Sequence, residues 1–273
     1  MKTINNIYGL ALAALSALAL ASCDNIAEGD RLIYVKPAEV SKNVLIEDFT
    51  GQRCKNCPEA TETIHELQEA YGGDKVIAVG LYSGPFGKKV DGSYLPLTTE
   101  TGDYYYNHWG VEAQPCLNID RKGMTSDNQI LQTKVTSALQ TTTPVSISLT
   151  SAFDGISKCA NLDIEVESSE TIENAYLQVW LTEDSIQGAQ IMPNGRANSS
   201  YTHNHVFRSS VTDRDGAPIS LVAGKKVTIS LDAAIDTDNW DFLNMHVVAF
   251  VFNSDGVLQT VAVPVFGNVE PTE

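Results

Sequence analysis

The sequence predicts an α/β domain followed by an all-β sandwich, and three observations predict it. From residue 43 to about 140, short apolar runs alternate with stretches of helical period. Beyond Thr141-Thr142-Thr143-Pro144 only strand-like runs follow, separated by Gly, Asp and Asn turns. The 273 residues are also enough for two cores, at about 100–200 residues per domain.

The chain opens on a leader. Lys2 supplies a positive start, residues 7–20 are nearly unbroken apolar, and Leu20-Ala21-Ser22-Cys23 follows. Residues 1–22 therefore read as a secretory signal, too short to span a bilayer. The tetrapeptide resembles a bacterial lipobox, which makes Cys23 the lipidated first residue of the mature chain and 23–42 a polar tether. The alternative is an ordinary signal cut nearby, with Cys23 left as a free thiol. No other stretch is long and apolar enough to cross a membrane.

Residues 44–49 form the first predicted strand. Residues 58–71 form a helix with Ala60, Ile64, Leu67 and Tyr71 at helical spacing, stopped by Gly72-Gly73. Residues 76–81 read as a buried parallel-type strand. Residues 83–102, rich in Gly and Pro, read as a long loop of the kind that carries function. A helical turn over 103–109, a strand over 117–120 and a helix capped by Ser126 or Asp127 and running to Gln140 complete the domain at 43–143. In 144–273 the strand-like runs are 145–149, 162–166, 175–181, 227–231, 246–252 and 257–263, with Asn253-Ser254-Asp255-Gly256 as a hairpin turn. Residues 183–224 read as loop-rich, the least legible part of the chain.

The full chain carries 18 basic and 34 acidic residues, a net charge of −16. Loss of residues 1–22 removes Lys2 alone, leaving 17 basic against 34 acidic and a charge of −17. That surface argues against nucleic acid and anionic headgroups as partners. No phosphate loop and no Ser/His/Asp arrangement is present, so no cofactor is expected.

The chemistry concentrates at Cys54-Lys55-Asn56-Cys57. Two cysteines at that spacing, between a strand and a helix, can close a small disulfide ring, and a helix N-terminus favours the thiolate. Such a pair reads as a redox motif. Of the five cysteines (23, 54, 57, 116 and 159), only Cys54 and Cys57 are paired by spacing; Cys116 and Cys159 either pair together or stay single. Tyr201-Thr202-His203-Asn204-His205 sets two histidines on one face of an expected strand, either as metal ligands or as hydrogen-bonded core groups. A zinc ribbon has no second pair, so no metal is assigned.

Residues 40–140 resemble the thioredoxin superfamily at three places: Cys54 with Cys57, Asp48-Phe49 ahead of them, and Trp109 to Pro115 followed by an apolar strand. The resemblance implies a cis Gln114–Pro115 bond packed against the disulfide, Cys54 as attacking thiolate and Cys57 as resolving thiol. Asp48, if buried, would have a raised pKa and accept a proton from Cys57; otherwise it is a strand-end acid facing water. Arg53 stands where these proteins usually carry Trp, Lys-Asn replaces Gly-Pro, and Cys116 replaces Thr. A third sulfur there is either a soft-metal ligand with Cys54 and Cys57 or a buried thiol.

Over nearly the whole chain, the lipobox, Phe49-Thr50-Gly51 before the Cys pair, and His203-Asn204-His205-Val206 resemble the Bacteroidetes lipoprotein family named for a twenty-eight-kilodalton outer-membrane protein. That resemblance implies outer-membrane location and an immunoglobulin-like C-terminal sandwich. Two functions follow as expectations. One is thiol–disulfide exchange on exported proteins, with Cys54, Cys57, Asp48 and Pro115 as the catalytic set. The other is a surface binding or adhesion lipoprotein in which the disulfide is structural. Either way the membrane is a partner through the lipid on Cys23.

Overall fold

The computed structural model describes residues 38–88 and 94–267. The protein is mostly β-sheet with few helices. Strand β1 (Val44–Thr50) is buried along its whole length, which its apolar start permits on both faces at once. Helix α1 (Cys57–Tyr71) follows, with Pro58 in the first turn, where the backbone N–H groups have no intrahelical partner to lose. Ala60, Ile64 and Leu67 form its buried stripe, and Gly72 ends it at φ 100°, a conformation that favours glycine. Strand β2 (Val76–Tyr82) runs parallel to β1, in register from Val44 opposite Val76 to Thr50 opposite Tyr82.

The stretch expected to be loop over 83–102 contains a one-turn helix, Gly84–Gly87, and ends in helix α2 (Glu100–His108), capped by the Thr99 hydroxyl accepting from the Gly102 N–H. Strand β3 (Cys116–Ile119) lies antiparallel to β1 on its other side. Helix α3 (Asn128–Leu139) starts at Asp127, whose carboxylate accepts from the N–H groups of Gln129 and Ile130.

Among the described residues only strands and one short 3₁₀ turn follow: the two-residue strand Thr142–Thr143, then β4 (Val145–Asp154), β5 (Cys159–Ser168), β6 (Ile172–Glu183), β7 (Ile186–Ile191), β8 (Ala197–His203), β9 (Val206–Ser210), β10 (Ala217–Leu221), β11 (Lys226–Ala234), β12 (Met245–Asn253) and β13 (Gly256–Pro264). Strands β11, β5 and β4 form a three-stranded antiparallel sheet. It packs face to face on a larger sheet, with Leu162, Ile164 and Val166 of β5 in one core with Ala175, Leu177, Val179 and Leu181 of β6.

The larger sheet runs β13-β12-β6-β9-β2-β1-β3 and ends on the short strand Met124–Thr125, with β10 also paired to β6. It therefore crosses the position where the sequence changes from α/β to all-β. The join is β9 beside β2, with Val206 opposite Gly80 and the Gly80 N–H donating to the His205 carbonyl at 2.7 Å. A second core bridges the same join: Leu45, Phe49 and Val79 pack with Trp180, Phe207 and Phe250. Residues 183–224, expected to be loop-rich, hold four strands (β7–β10). Their sequence hides them because β8 is exposed on both faces from Ala197 to Ser200, so no apolar alternation marks it.

Candidate functional site

The residues 51–54 form a turn held from three sides. The Arg53 N–H donates to the Phe86 carbonyl at 3.2 Å, and its guanidinium donates to the Pro85 carbonyl. Gln52 exchanges two hydrogen bonds with the Leu95 backbone, at 2.8 and 3.0 Å. From β7, the Ile191 N–H donates to the Gln52 carbonyl at 2.8 Å, and the Gln190 side-chain amide donates to the carbonyls of Cys54 (3.0 Å) and Gly51 (3.3 Å). Gly51 is required: a Cβ there would stand 2.4 Å from the Phe86 carbonyl carbon.

Cys54 and Cys57 are joined in a disulfide. Cys54 lies in the turn, and Cys57 is the first residue of α1. Both are closed off, with 3 % and 2 % of their surface exposed. Lys55 between them is exposed. The Gln114–Pro115 peptide is cis, and the Gln114 amide donates to the carbonyls of Thr50 (2.7 Å) and Ser83 (3.1 Å).

Cys116 and Cys159 are both free thiols. Cys116 is half-buried, opposite Phe49 in the sheet, with its Sγ 3.6 Å from the Met124 sulfur. Burial, helped by the charge of Asp48, pushes its thiol above the ordinary range, the reverse of an activated nucleophile. Among the described residues, no group of three or more His, Cys, Asp or Glu is placed to hold a metal ion.

Asp48 is buried, not a strand-end acid facing water. It lies on the α1 side of β1, 5 % exposed, and its Oδ1 has no hydrogen-bond partner. Burial pushes its pKa up to about 7, against a smaller downward pull from His205. It lines a cavity of about 390 Å³ between α1 and the β7–β8 hairpin, together with Thr61, Glu62, Gln68, Tyr82, Tyr201, His203 and His205.

The two histidines do not share a strand face, as the i, i+2 spacing had suggested. His203 ends β8, and His205 sits in the turn before β9 at φ 56°. His203 is fully buried, its Nδ1 2.7 Å from the Tyr82 hydroxyl. Burial lowers its pKa to about 4, so the ring is neutral. His205 instead faces Asp184 at 3.2 Å and the Gln68 side chain at 3.2 Å.

Sequence reasoning thus located Asp48, His203 and His205, with Tyr201 in the same cluster, but missed Tyr82, Gln68 and Gln190. Tyr82 and Tyr201 carried a usable signal, since each stands an even number of residues from Gly80 or His203 along its own strand. Gln68 and Gln190 carried none.

The family model for outer membrane protein Omp28 matches residues 102–268. The chain belongs to the Omp28 family. It is therefore associated with the outer membrane; Cys23, the expected anchor, lies outside the described residues. Among solved structures it is similar to HBP35 of Porphyromonas gingivalis, at 15 % identity over 87 % of this chain and 80 % of that one, with a TM-score of 0.65. A domain of the outer membrane lipoprotein Omp28 from Porphyromonas gingivalis matches at 19 % identity, covering 45 % of this chain and 88 % of that one, with a TM-score of 0.32. No curated protein matches.

Proposed function

We propose that this Omp28-family chain is a lipid-anchored envelope binding protein, with a thioredoxin-like domain over 43–143, an immunoglobulin-like sandwich over 144–273 and acylation at Cys23. In this reading the Cys54–Cys57 disulfide is a structural staple. The observation that carries it is the burial of both cysteines beneath β7, with Gln190 and Ile191 bonded to the turn that holds them. Thiol–disulfide exchange needs a thiolate to reach one sulfur of the bond, and both cysteines are closed to solvent while the hairpin is bonded to the turn.

A second reading, exchange on exported thiol proteins, draws support from Asp48. A buried carboxyl with a pKa of about 7 is suited to take a proton from a resolving thiol near neutrality. It requires the β7–β8 hairpin to lift off the 51–54 turn.

Equilibration of the mature protein with glutathione buffers separates the two. A staple is expected to show a reduction potential below about −300 mV, and working oxidoreductases lie between about −120 and −270 mV. A value in the upper range, with catalysed reduction of a disulfide-bonded protein such as insulin, would replace the staple with an exchange site.

A further inference from the structure

The cavity beside Asp48 is built for a ligand with a particular charge. Its inner wall is a carboxyl group 95 % withdrawn from solvent whose Oδ1 meets no donor from the chain. Buried acceptors left without a donor are uncommon because desolvating them is costly. Of the residues that line the cavity, none is Lys or Arg, while Asp48 and Glu62 are both acids. His203 is held neutral by burial. Tyr82, His203 and Tyr201 form a ring cluster along one side, with centroids 5.4 Å apart for Tyr82–His203 and 4.9 Å for Tyr201–His203. The other side is polar, with Thr61 and Gln68 of α1.

An anion would meet two acids, set against His65 and His205, of which His205 is already engaged by Asp184 at 3.2 Å. A neutral apolar molecule would leave the Asp48 oxygen unpaired. A cation carrying N–H donors does the opposite on both counts: it supplies the missing hydrogen bond, charge-assisted, and it can rest against aromatic faces. The volume suits a molecule of modest size.

We propose that the Asp48 cavity binds a small organic cation, an alkyl- or arylalkyl-ammonium whose N–H groups dock on the Asp48 carboxylate beside the rings of Tyr82 and Tyr201. This rests on the binding reading given above, and the two fail separately. The potential reads the sulfurs, whereas ligand titration of the disulfide-bonded protein reads the cavity. An exchange-active disulfide would leave the cation site standing.

The test is calorimetric titration of the intact mature protein with phenethylamine at neutral pH, alongside the isosteric 2-phenylethanol and the anion 3-phenylpropionate. Saturable binding of phenethylamine is expected, with both comparison compounds at least tenfold weaker. Asp48→Asn, which keeps the shape and removes the charge, is expected to weaken phenethylamine at least tenfold. Glu165→Gln, an equal charge change on the distant face of β5, should leave it within twofold. Amide signals of Gly80, Tyr82 and His203 should shift on binding in protein NMR. The proposal is overturned if phenethylamine does not bind at millimolar concentration, if 2-phenylethanol binds as tightly, or if Asp48→Asn binds like the parent.

Discussion

Glu47 and Asp48 are neighbours on β1 and point to opposite faces of the same sheet, and the chain treats them in opposite ways. Glu47 is fully buried, and Arg121 answers it with a two-pronged contact from Nε (3.1 Å) and Nη2 (3.0 Å), while Asn118 donates to its other oxygen at 3.2 Å. Arg121, 7 % exposed, is itself packed over the rings of Phe252 and Phe250 at 4.5 and 4.8 Å. Among the described residues Asp48 has no salt-bridge partner, only the more distant charge of His205, and it keeps one oxygen unpaired against a cavity. Burial pushes both carboxyls up in pKa, but only at Glu47 does a guanidinium stand against that push. One acid is paired to an arginine that itself packs on the rings of the other half of the sheet; the other acid is left open. An acid that a protein buries and does not pair is a better pointer to function than one that it pairs fully.

Removal of Arg121 gives the largest expected effect. Arg121→Met strands Glu47 in an apolar core, which costs about 3–5 kcal/mol when one partner of a buried pair is lost. The urea midpoint should fall accordingly, and the loss should shrink when Glu47→Leu is added, because an apolar pair of similar volume removes the orphaned charge. If Arg121→Met cost no more than a surface substitution, Glu47 would be as open as Asp48 and the contrast between them would disappear.

Asp48→Asn should do the reverse. Asp48 titrates near pH 7 in the folded chain and near 3.9 when unfolded. Between those values the native state holds a proton that the unfolded state has released, so stability falls as pH rises across that window. The asparagine variant has no such loss. It should match the parent near pH 4 and exceed it by up to roughly 4 kcal/mol above about pH 7. Urea midpoints at about pH 5 and about pH 9 check it. An equal effect at both would mean that Asp48 is paired after all.

Much of this architecture was legible, and the boundary of legibility has a physical cause. Helix α1, its Gly72 stop and the Asp127 cap are local: each is decided by residues within a few positions of one another. The β12–β13 hairpin, closing from Asn253 to Gly256, is local too. The cover over the disulfide is not. Gln190 reaches the Gly51 carbonyl across 139 residues of chain, and a glutamine in a polar run announces nothing. Nor does spacing reveal that β9 would slot beside β2, because Val206 and Phe207 look like any short apolar pair until Gly80 and Phe49 are placed next to them. Asp48 was visible as an acid in an apolar strand; that its oxygen would lack a partner depended on which side chains did not arrive.

His203 sharpens the comparison with the smallest expected effect. Its pKa is about 4 in the fold and about 6.5 when unfolded, so between those values the unfolded chain binds a proton that the native ring refuses. Stability from this group is complete above about pH 6.5 and is lost as pH falls toward 4, by at most about 3 kcal/mol. Asp48 acts in the opposite direction over much of the same window. The two contributions oppose each other, so the parent protein should show little dependence of its urea midpoint on pH between about 4.5 and 6.5 from this pair. Each single variant removes one arm of the balance. His203→Gln also gives up the contact with the Tyr82 hydroxyl, so its baseline falls at every pH, but its slope is the informative quantity: it should turn negative with rising pH, while Asp48→Asn should turn positive. Slopes of the same sign would show that at least one of the two groups is not shifted by burial in the direction its place in the fold requires.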